Sequence, residues 1–136
     1  MSDDSISDIV QNISEELLSL LLTNVKSVNA AIISTADGFE VSSKYTYQAN
    51  INKLSALSSS LSAIGSMATL EAEMGKQYRH VMIESDGGFL IVMDIPYVHY
   101  PMILCVVASD QALLARVIQQ AKNVSMTLVD QLPKDL

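Results

Sequence analysis

His80, His99 and Cys105 are the side chains of this chain best suited to hold a metal or attack a substrate, and their number and spacing argue against both. A metal site needs three or four ligands, usually with two at short spacing such as Cys-x₂-Cys or His-x₃-His, and no such pair exists. Serines are abundant, but a nucleophilic serine needs a histidine base and an orienting acid. No Gly-x-Ser-x-Gly elbow occurs, and Ile64-Gly65-Ser66 falls inside a helical pattern. The five glycines form neither a dinucleotide-binding nor a P-loop signature. The carboxylate pairs Asp3-Asp4 and Glu15-Glu16 lie in or before the first helical pattern, where a solvated face accounts for them. The chain therefore reads as a non-enzyme with no cofactor and no metal, whose function resides in its surfaces.

Composition narrows those surfaces. The 136 residues are 49% apolar and carry a formal net charge of −7. One domain spanning 1–136 is the simplest reading, large enough to bury ~65–70% of its unfolded surface. The eight basic residues gather in no segment, so nucleic-acid backbone binding and a basic membrane-surface helix are both disfavoured. Met1 to Ser5 is acidic where a signal peptide would be basic. The apolar stretch Leu17 to Leu22 falls far short of the ~20 residues that cross a bilayer. No membrane insertion and a cytoplasmic location follow as expectations. Cys105 sits in the apolar run Met102 to Ala108 and reads as a buried, inert thiol.

The elements that position these residues follow from periodicity. Ile6, Ile9, Val10, Ile13, Leu17, Leu20 and Leu21 recur at spacings of three and four and predict a first helix from about Ser5 to Val25. Val28 to Ser43 reads as a hairpin turning at Asp37-Gly38, with a type I′ turn expected. Residues 45–50 form a loop, and Asn50 or Asn52 is a candidate N-cap. A second helix spans Ile51 to Met74, with Gly75 suited to the left-handed C′ position. Ile51, Leu54, Leu57 or Ser58, Leu61, Ile64, Met67 or Ala68 and Leu70 or Glu71 form its apolar stripe. Ser, Ala, Gly and Thr make up most of the remaining surface. A solvated face would carry Glu and Lys instead, so the small-residue face is expected to meet a partner.

Tyr78 to Ser85, Phe89 to Ile95 and Met102 to Ser109 are the remaining strands. Asp86-Gly87-Gly88 supplies a turn, and Pro96 to Pro101 a loop. The last strand is apolar on both faces and belongs at the centre of a sheet. A third helix opens near Ser109-Asp110, carries Leu114, Val117 or Ile118, Ala121, Val124 or Ser125 and Leu128 on one stripe, and is limited by Pro133.

In this order and spacing the chain resembles the roadblock/dynein-light-chain family. The resemblance rests on Val28, Ala31, Asp37, Gly38, Val41 and Ser43, with Ala31-Ile32-Ile33 at their centre. It extends through the Leu/Ala/Ser-rich second helix ending Glu73-Met74-Gly75, and through Leu104, Val106, Val107 and Ala108 in the last strand. One departure is Leu114-Ala115, where the family often has Leu-Gly. The resemblance implies an α/β fold of order α-β-β-α-β-β-β-α. Its five-stranded antiparallel sheet would run 2-1-5-4-3, with one helix on one face and two on the other. It further implies a homodimer joined through the third strand and second helix. Bacterial and archaeal relatives resemble regulators of Ras-like small GTPases, while eukaryotic relatives act as dynein or lysosomal scaffolding subunits. A homodimeric regulator or binding platform for a Ras-like small GTPase is the leading expectation. A non-catalytic scaffold and, less so, a small-ligand sensor are the alternatives.

The expected dimer surface is the edge strand, Tyr78, Arg79, His80, Val81, Met82, Ile83 and Glu84, with Ser58 and Ala63 from the second helix. The expected partner-binding positions, chosen because they lie off the apolar stripe, are Lys53, Ser59, Ser60, Ser62, Ser66 and Glu73. Arg116 is expected to form a solvated ion pair, and Arg79 a salt bridge.

Overall fold

The computed structural model describes residues 3–135; Met1, Ser2 and Leu136 lie outside it, as do the side chains of Asp3 and Asp4. The elements are α1 (Asp3–Asn24), β1 (Val28–Thr35), β2 (Glu40–Tyr45), α2 (Ile51–Glu71), β3 (Val81–Ser85), β4 (Gly88–Ile95), β5 (Met102–Ser109) and α3 (Leu114–Gln131). The strands form one antiparallel sheet in the order β2-β1-β5-β4-β3. β5 takes the central place that its apolar sequence demanded, with Leu104 opposite Ile33 and Met93, and Val106 opposite Ala31 and Ile91.

The two faces of the sheet carry cores of different size. α1 and α3 cover one face, where Ile33, Ile91, Leu104 and Val106 meet Ile6, Val10, Leu18 and Leu21 of α1 and Val117, Ala121 and Leu128 of α3. Only α2 covers the other, over Ile32, Val92, Ile103 and Cys105. The buried line of α1 is rotated from the expected one. Ser14 and Leu18 lie inside, while Leu20 is half exposed. Ser14 is accommodated because its Oγ lies 2.6 Å from that of Ser42 on β2, so two buried hydroxyls satisfy each other.

The turns decide the local geometry. The β1–β2 connection is not the two-residue type I′ turn. The Gly38 amide donates to the Thr35 carbonyl at 2.9 Å, and the Thr35 amide to the Phe39 carbonyl at 2.8 Å. Gly38 alone takes positive φ (96°), whereas Asp37 does not, as in three-residue loops that end in a left-handed glycine. At Gly88 (φ 145°) a Cβ would stand 2.0 Å from the Ala108 carbonyl oxygen, so the β4–β5 pairing admits only glycine there. α3 begins at Leu114, later than Ser109-Asp110, and Leu113 caps it without a side-chain hydrogen bond. It ends one residue before Leu132, as Pro133 requires.

Candidate protein-interaction surface

α2 is rotated from the stripe its periodicity suggested: Ile51, Leu54 and Leu61 of that stripe pack against the sheet core, whereas Ile64 does not. Ser55, Ser58, Ser62, Gly65 and Thr69 are its buried residues. Leu57, Ile64, Met67 and Leu70 are 56%, 58%, 65% and 59% exposed. The cause is steric. The sheet supplies the bulk on this side through Ile32, Val92 and Ile103, and the helix approaches closely only because it is small there. A Cβ at Gly65 would lie 2.6 Å from Val81 Cγ2 and 3.2 Å from Tyr78 Cγ. The β1–β2 turn presses equally close, since a Cβ at Gly38 would lie 3.2 Å from Ala56 Cα.

Two of the four buried hydroxyls of α2 are satisfied within the helix. Ser58 Oγ donates to the Leu54 carbonyl at 2.7 Å and Thr69 Oγ1 to the Gly65 carbonyl at 2.8 Å, bonds of the i to i−4 kind that spare a hydroxyl the cost of burial. The sequence signal for this rotation was the charge distribution. α2 carries only Lys53 and Glu71 as charges, too few for either face to be an ordinary solvated one.

The strand beside this helix is shorter than expected. β3 starts at Val81, so Tyr78, Arg79 and His80 precede the ladder rather than belong to it. The reason lies in Tyr78. Its ring packs under Gly65, and its hydroxyl donates to Ser62 Oγ at 2.7 Å and lies 3.3 Å from Asp94 Oδ1. Ser62 Oγ itself donates to Asp94 Oδ1 at 3.2 Å. The chain is thereby strapped to α2 and β4 before it enters the sheet. Burial, with the nearby Asp94 charge, pushes the Tyr78 phenol up to about 12, so it stays protonated and structural. β3 is the sheet edge, paired only with β4. Its outer row of backbone N–H and C=O groups is a template for another strand.

α2 meets the start of β3 at Gly65 and Val81, Leu61 lies partly buried against the sheet core, and Leu57 and Ile64 are exposed. Leu57 and Ile64 on α2 and Ile83, 48% exposed, on the edge strand leave apolar side chains open on two neighbouring elements. A face of this kind marks a protein–protein contact more often than a solvated wall.

The expected site residues are distributed unevenly over this surface. Val81, Met82, Ile83 and Glu84 are on the edge strand, and Ala63 is exposed on the outer side of α2. Ser58 is buried against the sheet, so it does not belong to an open face. Lys53, Ser60 and Glu73 are exposed. Ser59 and Ser66 are half-buried, and Ser59 Oγ donates to the Ala36 carbonyl at 2.7 Å. Ser62 is buried in the Tyr78–Asp94 strap, because the face taken for the outer one is the inner one. The exposed apolar positions not expected at the surface are Ile64, which periodicity places on the stripe, and Leu57, Met67 and Leu70, which it offers there as alternatives to Ser58, Ala68 and Glu71.

Among the described residues, no group of three His, Cys, Asp or Glu could hold a metal ion. Burial raises the Cys105 thiol to about 11, a shift that a Ser58 hydrogen bond only partly offsets. Arg116 makes no ion pair among the described residues; its Nη2 donates to the Asn24 carbonyl at 3.1 Å and so caps the end of α1. Arg79 is exposed, and it too is in no ion pair among the described residues. A hollow of about 560 Å³ beside β2 is lined by Glu40, Ser43, Tyr45, Asn50 and Asn52. It is open and polar, unlike the enclosed apolar pockets that hold small ligands. No helix among the described residues is long and apolar enough to cross a membrane.

This sheet order, with one helix on one face and two on the other, has counterparts in other proteins. The Roadblock/LC7 domain profile matches residues 14–108, and the chain belongs to that family. A Roadblock/LC7 domain from Streptomyces avermitilis superposes with a TM-score of 0.76 at 23% identity, over 84% of this chain and 92% of that one. The gliding protein MglB from Thermus thermophilus gives 0.77 at 17% identity, over 89% of each chain. A structure of MglB with a tetrameric arrangement gives 0.78 at 16%, over 89% of this chain and 88% of that one. At these identities the likeness is one of fold. No curated protein matches the chain.

Proposed function

We propose that the chain acts as a homodimeric platform for a Ras-like small GTPase and modulates that protein's nucleotide cycle without contributing a catalytic group. The observation that carries this reading is the exposure of the apolar side chains Leu57 and Ile64 on α2 together with Ile83 on the unpaired edge strand β3. Two copies joined edge to edge would make one sheet from two sets of five strands and set both α2 helices side by side on it. Membership of the Roadblock/LC7 family and the fold shared with MglB support a regulatory rather than an enzymatic role.

Intrinsic hydrolysis by Ras-like proteins is slow because the transferring phosphoryl charge is poorly neutralised and the attacking water poorly placed. A partner can supply an arginine, or it can bind the competent arrangement of the mobile loops more tightly than the others. Arg116 is engaged at the end of α1, and Arg79 stands at the threshold of the proposed dimer strand. The second route is the one this chain uses. Lys53 and Ser60, both exposed beside Leu57, are the contacts assigned to the GTPase.

The test is hydrolysis by a candidate Ras-like GTPase, measured with and without the protein. Stimulation that largely survives Arg79→Ala, and that a bulky charge in place of Ser60 weakens, is the expected result. Loss of stimulation in Arg79→Ala with dimer and affinity intact would establish an arginine finger instead. Tight binding with no change in rate would establish a scaffold.

A further inference from the structure

The sulfur atoms of the chain divide sharply by exposure. Cys105 is 1% exposed, and burial raises its thiol to about 11, so it offers an oxidant almost no thiolate. Met93 and Met102, 4% and 2% exposed, lie in the α1–α3 core. Met67, Met74, Met82 and Met126 are all open to solvent. An oxidant that meets the folded chain therefore meets thioethers before the thiol.

Position separates Met67 from the other exposed methionines. It stands on α2 three residues after Ile64 and three before Leu70, the spacing of neighbours on one helix face. All three side chains are more than half exposed. Ala63 and Glu71, four residues to either side, are its other neighbours. With Ile64 and Leu70 they supply no side-chain hydrogen-bond donor, since a carboxylate only accepts. Met74 follows the C-cap of α2 at Ala72. Met82 is on the β3 edge, opposite Ile91. Met126, 65% exposed like Met67, is on α3, which covers the other side of the sheet.

We propose that Met67 is a reversible oxidation site, and that its sulfoxide releases this chain from the second copy that the α2 face meets. The inference rests on the homodimeric reading above and adds a regulation to it. The oxidant is a hydroperoxide. A lone pair of the Met67 sulfur attacks one peroxide oxygen, the O–O bond breaks, an S–O bond forms, and hydrogen peroxide leaves as water. Sulfur loses two electrons and the peroxide gains them. Two thiols reverse the step, ending as a disulfide with the oxygen released as water. The sulfoxide puts a strong acceptor in the middle of an apolar row with no donor beside it. Covering it against a partner strips that acceptor of its water. In the dimer Met67 is shielded, so the oxidant reaches it in the free chain, and the oxidised chain fails to pair again.

The test treats the full chain with hydrogen peroxide, follows each methionine by peptide mass spectrometry, and measures dimer dissociation by sedimentation equilibrium. Wild type, Met67→Leu, and a triple variant (Met74→Leu, Met82→Leu and Met126→Leu) are each compared with themselves untreated. Once Met67 is oxidised, the dissociation constant of the wild type and of the triple variant should rise at least about tenfold, the scale of an unpaired buried polar group. That of Met67→Leu should not move on treatment, and a methionine sulfoxide reductase with a dithiol should restore the wild type. Conversion of Met67, and not of Met126, should slow as protein concentration rises through the dissociation constant. A triple variant that dimerises unchanged with Met67 oxidised, a Met67→Leu chain weakened as much as wild type, or Met67 conversion indifferent to concentration would overturn the proposal and leave the dimer standing. Circular dichroism follows folding, and loss of the fold on oxidation of Met67 would also count against it. An untreated wild type that is monomeric would overturn the homodimeric reading and this switch with it.

Discussion

Single residues carry most of the local strain and most of the pH response. Glu73 takes φ 56° at the end of α2, where the Met74 amide bonds the Thr69 carbonyl at 2.9 Å and the Glu73 amide the Leu70 carbonyl at 3.1 Å. That is the double hydrogen bond of a Schellman cap, with a glutamate where glycine is favoured. Glu73→Gly should therefore stabilise the chain by about 1 kcal/mol, read from the denaturant midpoint. A lower midpoint would mean that the Glu73 side chain contributes more than its backbone costs. Gly75 was the visible candidate for this place, and nothing local to residues 71–75 separates the two. At alkaline pH, Cys105 is raised from 9.0 to about 11 and Tyr78 from 10.0 to about 12. Both folded values exceed the unfolded ones, so in that window the unfolded chain holds fewer protons and stability falls as pH rises. Stability from these groups is complete below pH 9 and is lost between about 9 and 12. Urea titrations should show this slope, and Tyr78→Phe should flatten its part above pH 10.

At the scale of elements, the order and type of every helix and strand were legible in the sequence, and which way α2 faces was not. Periodicity reports that one side of a helix differs from the other; it does not say which side the sheet has room for. Gly65 and Ser62 belong inside because Val81, Tyr78 and Asp94 come so close, and that proximity is set by strands distant in sequence. Strand β5 could be placed because it is apolar on both faces, a property of its own residues. The rotation makes opposite demands on neighbouring positions. Ser62→Leu, at a site 8% exposed and bonded to Asp94, should cost roughly 1–3 kcal/mol through overpacking. Ile64→Glu, at a site 58% exposed, should change the stability of the isolated chain by no more than ~0.5 kcal/mol and still abolish self-association. Equal damage to folding from both would restore the sequence-based orientation of the helix.

At the scale of the whole molecule, the two sides of the sheet are finished to different degrees. The α1–α3 side has a broad core closed by Leu128 and Leu132. The α2 side has a thin core, an apolar exterior and an open edge. A chain with a net charge of −7 gains solubility from that charge, and it still exposes Leu57, Ile64, Met67 and Leu70 along one helix. Burying that helix and the β3 edge against a second copy accounts for both features at once. The most direct test is sedimentation equilibrium of the wild-type chain at micromolar concentration. The account predicts a mass of twice 14.8 kDa; a single species at 14.8 kDa would contradict it.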